Sequence, residues 1–91
     1  MKFTKYYDGI CFEQTLDVEV TKTSATAIFT DWAEYSTMYC IHLTKRDAFN
    51  ILNMPDEQAI LYCVHLMQRN KVKYSKIAHK KGKYWEDDLP R

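Results

Sequence analysis

From Phe12 to Val20 the chain alternates between apolar and polar residues. Phe12, Leu16, Val18 and Val20 share one side, with Gln14 as the exception; Glu13, Thr15, Asp17 and Glu19 share the other. A period of two sustained over that length predicts a strand with one face buried and one face in water. Upstream, Asp8-Gly9 sits between aromatic and β-branched residues, a short-range hairpin signal. Downstream, "SATAIFTDW" and "STMYCIHL" are rich in β-branched and aromatic residues, and "AEYS" between them reads as a turn. The first half therefore reads as an antiparallel meander of three or four strands, with one face packed and one wet and acidic.

After Leu43 the period changes. Thr44 followed three residues later by Asp47 is a loose form of the capping box, and a short helix over 45–52 follows, with Ala48, Phe49, Ile51 and Leu52 as its apolar side. Asn53 or Met54 can cap a second helix, with Pro55 at its first position and Asp56 and Glu57 in its first turn, where the positive end of the helix dipole favours them. At a hundred degrees per residue, Ala59, Ile60, Cys63, Leu66, Met67, Tyr74, Ile77 and Ala78 fall on one stripe, with Asn70 and Lys81 as flaws. Periodicity thus allows one helix over 55–81, closed by Gly82. Such a helix is about 40 Å long, whereas a compact chain of this size has a radius of gyration near 12 Å. Either the basic end projects beyond the globule because a partner receives it, or the helix breaks near Asn70 and a second short helix or a hairpin turning at "HKKG" follows. The fold class expected is α+β: the meander over 1–44, then a short helix and a longer amphipathic C-terminal helix making 45–85 mostly α, and a short polar tail over 86–91.

Ninety-one residues, 46% hydrophobic with few Gly or Pro, make one folded domain over 1–91. Three cysteines cannot pair completely, which points to a reducing, cytoplasmic compartment. "MKFTKYYDGI" lacks the apolar core of a secretory signal, and no run is long enough to span a bilayer, so no membrane partner is expected.

Charge changes the picture more. Residues 1–68 carry five Lys/Arg against nine Asp/Glu, whereas 69–91 carry eight against three, so a net charge of +1 divides into −4 and +5. Arg69, Lys73, Lys76, Lys80 and Lys83 are spaced four, three, four and three apart, one stripe if the backbone is helical. Solvated helix faces usually alternate acid and base at that spacing; like charges there repel mildly. Tyr74, Tyr84 and Trp85 lie among these cations and supply apolar anchors.

Candidate catalytic chemistry is thin. Two glycines exclude a glycine-rich phosphate loop, and HExxH and GxSxG are missing. "MYCIHLTKRD" and "LYCVHLMQRN" align without a gap and offer two Cys and two His. The spacing is not that of a zinc site, and on a helix Cys63 and His65 diverge by about 200°. Core packing is the better reading of the cysteines. No catalytic residue, metal or cofactor is expected.

These features point to a non-catalytic binding protein that regulates or inhibits a protein or nucleoprotein partner, as do the small inhibitors that phages aim at host machinery. The expected partner-binding residues are Arg69, Lys73, Tyr74, Lys76, Lys80, Lys83, Tyr84 and Trp85, set against an acidic sheet face. The alternative is nucleic-acid binding through 69–85, lysines on phosphates and rings on bases. Self-association of acidic on basic faces is a third route.

Overall fold

The computed structural model describes residues 1–9, 13–33 and 35–81. Among these described residues, five strands form one antiparallel sheet in the order β1-β2-β3-β4-β5. They are β1 (Lys2–Asp8), β2 (Glu13–Val20), β3 (Ala25–Trp32), β4 (Tyr35–Leu43) and β5 (Lys73–Lys81), with α1 (Lys45–Leu52) and α2 (Asp56–Gln68) inserted between β4 and β5.

The alternation in β2 sets the sheet's two faces. Leu16, Val18 and Val20 point towards the helices, together with Ala25, Ala27 and Phe29 of β3 and Ile41 and Leu43 of β4. Ala48 and Ile51 of α1 and Ala59, Ile60, Cys63 and Met67 of α2 close this layer from above. Alanines on both sides of the contact let the helices sit close to the sheet. Leu16, Ile41 and Ile51 are fully buried, each worth about 1.5–3 kcal/mol of transfer free energy. On the other face, Asp8, Glu13, Asp17 and Glu19 confirm the acidic side, but only over β1 and β2. At β3 the same face carries Thr26, Ile28, Thr30 and Trp32, of which Thr30 and Trp32 are buried.

Both helix starts follow from the sequence. Thr44 caps α1, its hydroxyl accepting from the Asp47 N–H at 3.0 Å. Pro55 is itself the cap residue of α2, in extended geometry and without a side-chain bond. Asn53 does not cap α2; it closes α1, its N–H bonding to Phe49 O.

The long C-terminal helix does not form. The helix ends at Gln68, with Asn70 in the left-handed region at φ 55°. The Lys71 N–H bonds to Leu66 O at 2.9 Å and the Asn70 N–H to Met67 O at 3.1 Å. This is the Schellman arrangement, which satisfies the last helical carbonyls. Asn tolerates that backbone better than most residues, so the flaw on the apolar stripe is the terminator. A helix over 55–81, at about 40 Å, would overrun a molecule whose longest extent is 33 Å. Instead the chain pairs with the outer edge of β4, whose backbone groups would otherwise lack partners. Residues 73–81 form a strand and not the second short helix, while the return arm of a hairpin turning at "HKKG" lies outside the described residues. The main helix contacts are with β1, β2 and β4, so β5 overhangs the helical layer and is exposed along most of its length.

Candidate functional site

A strand alternates with period two, and this undoes the basic stripe. Lys73 pairs with His42 and points to the face away from the helices; Lys76 pairs with Tyr39 and points to the helix-bearing face. A bulge opposite Met38 and Tyr39 then leaves Ile77 unpaired and resets the alternation, so Lys80 returns to the far face and Lys81 to the helix side. Arg69 stands at the end of α2 beside a separate hollow lined by Asp47, Tyr62, His65, Leu66 and Lys71. Spacings of three and four, which gather cations on a helix, distribute them around a strand. The expected single stripe is replaced by an edge strand with lysines on both faces. Lys83, Tyr84 and Trp85 lie outside the described residues.

The structure brings together a different group. Across the helix-bearing face, beyond the end of α2, Phe29, Tyr39 and Tyr74 form a row running outwards to β5. Phe29 and Tyr39 stack with centroids 6.2 Å apart, and Tyr39 meets Tyr74 edge-on at 6.0 Å. With Val64, Met67 and Gln68 of α2 and Asp31 of β3 they line an open groove. Next along β5, His79 stacks on Tyr35 at 5.3 Å and bonds through Nδ1 to the Thr37 hydroxyl at 2.8 Å. Of this group the sequence pointed only to Tyr74. Tyr39, Tyr35 and His79 become visible as neighbours once β4 and β5 are paired in register. Asp31 sits where burial lifts its carboxyl above the usual range, partly offset by a hydrogen bond from Gln14.

The charges around the groove are unbalanced. Among the described residues, Lys73, Lys76 and Lys81 take part in no ion pair, whereas Lys2 pairs with Glu19 at 3.3 Å and Lys5 with Asp56 at 3.6 Å. Lys80 has a partner within the chain. The acids of β1 and β2 lie across the sheet, with β2 three and β1 four strand spacings from β5, about 14 Å and about 19 Å. Both distances exceed the Debye length of about 8 Å at physiological salt. A partner at β5 therefore meets a positive edge, not the near-neutral whole.

Cys40 and His42 stand on the face away from the helices, whereas Cys63 is buried beneath α2 on the other side of the sheet. The aligned Cys/His pairs do not meet. Burial, with Asp47 adding to it, pushes the Cys63 thiol up to about 12, so at neutral pH it is a packing residue without nucleophilic character. No helix among the described residues is long and apolar enough to cross a membrane. Comparison with known proteins adds no relative: no family model, no curated protein and no solved structure matches the chain.

Proposed function

We propose that the protein is a non-catalytic binding protein that regulates or blocks a macromolecular partner, and that it presents β5 and the adjoining groove to an acidic surface of that partner. The observation that carries this reading is an overhanging edge strand whose Lys73, Lys76 and Lys81 lack carboxylate partners, next to exposed rings. Lysines on an edge strand also discourage sheet-to-sheet aggregation, a purely protective role. That role needs no aromatic groove beside them, and Tyr74 and Tyr35 remain 41% and 49% exposed. Rings of this kind anchor partners because one side is apolar and the hydroxyl stays wet.

Nucleic acid is the second reading, favoured by one arrangement: Tyr39 and Tyr74 on a sheet surface flanked by Lys76, a platform on which bases could stack. Asp31 in the same groove repels phosphate and carboxylate alike, so it does not separate the two readings. Anisotropy titrations with poly-glutamate and with single- and double-stranded DNA and RNA, at low and moderate salt, separate the two. Binding of the acidic polypeptide, lost in Lys73→Glu/Lys76→Glu/Lys81→Glu, supports the protein reading. Oligonucleotide binding that falls steeply with salt and is lost in the same variant supports the other. If neither probe binds at low salt, the role of β5 is protective and the proposal fails.

A further inference from the structure

The two edges of the sheet differ in what their backbones offer. Met1 and Val20 exchange both of their backbone hydrogen bonds, through the terminal amine at 2.9 Å and the Val20 N–H at 2.8 Å. Antiparallel ladders alternate between bonded and non-bonded pairs, so this one pair sets the direction of every backbone group across the sheet. Lys2, Thr4, Tyr6 and Asp8 turn theirs outward from β1. Followed through the registers of β2, β3 and β4, the same alternation turns the groups of Tyr74 and Lys76 outward from β5, and beyond the bulge those of His79 and Lys81. At β1 the row is plugged: the outward Tyr6 N–H donates to Asp56 Oδ2 at 3.1 Å. At β5, Tyr74 and Lys76 present both N–H and C=O with no bond to another described residue.

Resting on the binding role argued above, we propose that β5 accepts an extended acidic segment of a partner protein as a sixth strand, paired along Lys73–Lys76 and ending at the bulge. An added strand supplies donors and acceptors in alternation, which is what Tyr74 and Lys76 require. A phosphodiester supplies acceptors only and would leave both carbonyls unmatched. Lys76 on one face and Lys73 on the other match carboxylates on alternate sides of an incoming strand. The groove beside Tyr74, with Tyr39, Val64 and Met67, takes one apolar side chain on the helix side. A second copy of this chain fits poorly: β5 against β5 brings together two edges whose lysines lack carboxylate partners, and the β1 edge of another copy is blocked at Tyr6.

The test uses the full chain and a blocked eight-residue peptide with Glu at every third position between Val and Thr, which sets carboxylates on both faces of the extended strand, followed by amide NMR. Its companion carries N-methyl groups on the residues along one edge, which keeps the charge but removes the pairing donors; a second companion is methylated along the other edge. Expected on binding is a slowing of hydrogen exchange by roughly tenfold or more at the Tyr74 and Lys76 amides, and a loss of roughly tenfold in affinity with one methylated edge. Lys76→Pro removes one outward donor, leaves the β4 ladder untouched and should weaken binding similarly. Because that variant could also disturb the strand, the methylated peptides decide. Equal binding of all three peptides, with Tyr74 and Lys76 amides unprotected, overturns strand addition while leaving charge-based docking intact. No binding of the parent peptide at millimolar concentration also overturns it. A single-stranded oligonucleotide that displaces the peptide, binds more tightly and protects neither amide overturns it in favour of nucleic acid. Loss of the peptide's affinity on methylation, but none on Lys73→Glu/Lys76→Glu/Lys81→Glu, would instead overturn the acidic-partner reading and keep the strand.

Discussion

The two edge strands begin with the same pattern and meet different fates. β1 opens Lys2-Phe3-Thr4-Lys5 and β5 opens Lys73-Tyr74-Ser75-Lys76: a lysine, a ring, a hydroxyl and a lysine, each set on matching faces of the sheet. In β1 the ring packs against the core beneath α2, and Lys5 is drawn inward. Its Nζ donates to Leu52 O at 3.2 Å and Met54 O at 2.8 Å, carbonyls at the end of α1 where a cation is favoured, and it pairs with Asp56. In β5 no helix covers the equivalent positions, so the ring stays 41% exposed and the lysine stays in water. Pairing with the neighbouring strand sets which face each side chain takes. Whether a lysine serves the fold or a partner is decided by what lies above it.

The sharpest way to break this comparison is to remove the two matched lysines in turn. Lys5→Ala leaves the Leu52 and Met54 carbonyls without their donor in a site where the lysine side chain is only 12% exposed. A loss of about 2 kcal/mol in unfolding free energy is expected. Lys76→Ala should stay within about 0.5 kcal/mol of the parent, as exposed positions usually do. Urea denaturation of both variants checks the contrast. Equal effects would mean that Lys5 is as dispensable as its counterpart and that the β1 edge is not held by it.

A smaller effect is expected from Asp56→Ala, which unplugs the β1 edge and takes the ion-pair partner from Lys5 while leaving its bonds to Leu52 O and Met54 O. It removes the acceptor of the Tyr6 N–H and an acid from the first turn of α2, together about 1 kcal/mol. Hydrogen exchange gives the more specific reading: the Tyr6 amide should exchange several-fold faster, while the free-chain rates at Tyr74 and Lys76 stay unchanged because they never had a cap. If Tyr6 already exchanges as fast as Tyr74 in the parent, the two edges are equally open and the case for β5 as the docking edge fails.

The same comparison explains how much of the molecule could be read beforehand. Alternation in β2, the Thr44 cap, the short helix over 45–52 and the helix start around Pro55 all rest on neighbours a few residues away, and all are present as expected. β5 rests on β4, some thirty to forty-five residues upstream. Its lysine spacing fits a helical stripe, and only the unpaired edge of β4 and the left-handed Asn70 make the strand the better solution. The acidic face was legible because β2 alone carries most of it. The Phe29–Tyr39–Tyr74 row was not, because it crosses three strands and exists only once their registers are set. Lys5 gave no sign of its inward role: a lysine in an amphipathic strand reads as solvent-facing, and the carbonyls that claim it come from residues 52 and 54.

The smallest expected effect concerns Asp31, the acid at the margin of the groove. Burial raises its carboxyl above the ordinary 3.8, against the lowering effect of Gln14. A raised value in the folded state means that the fold binds this proton more tightly than the unfolded chain does. The stabilisation from that proton is fully present below the unfolded value and is lost as pH rises through the folded one. At neutral pH the charged form is therefore a burden, and Asp31→Asn, which keeps a group able to bond Gln14, should raise the urea midpoint at pH 7 slightly. At about pH 3, where the carboxyl is largely protonated in both states, the difference should shrink towards zero. A gain of equal size at both pH values would assign the effect to packing and not to charge. A loss at pH 7 would mean that the carboxylate is held by a cation, and the groove would then not be the positively biased site that an acidic segment needs.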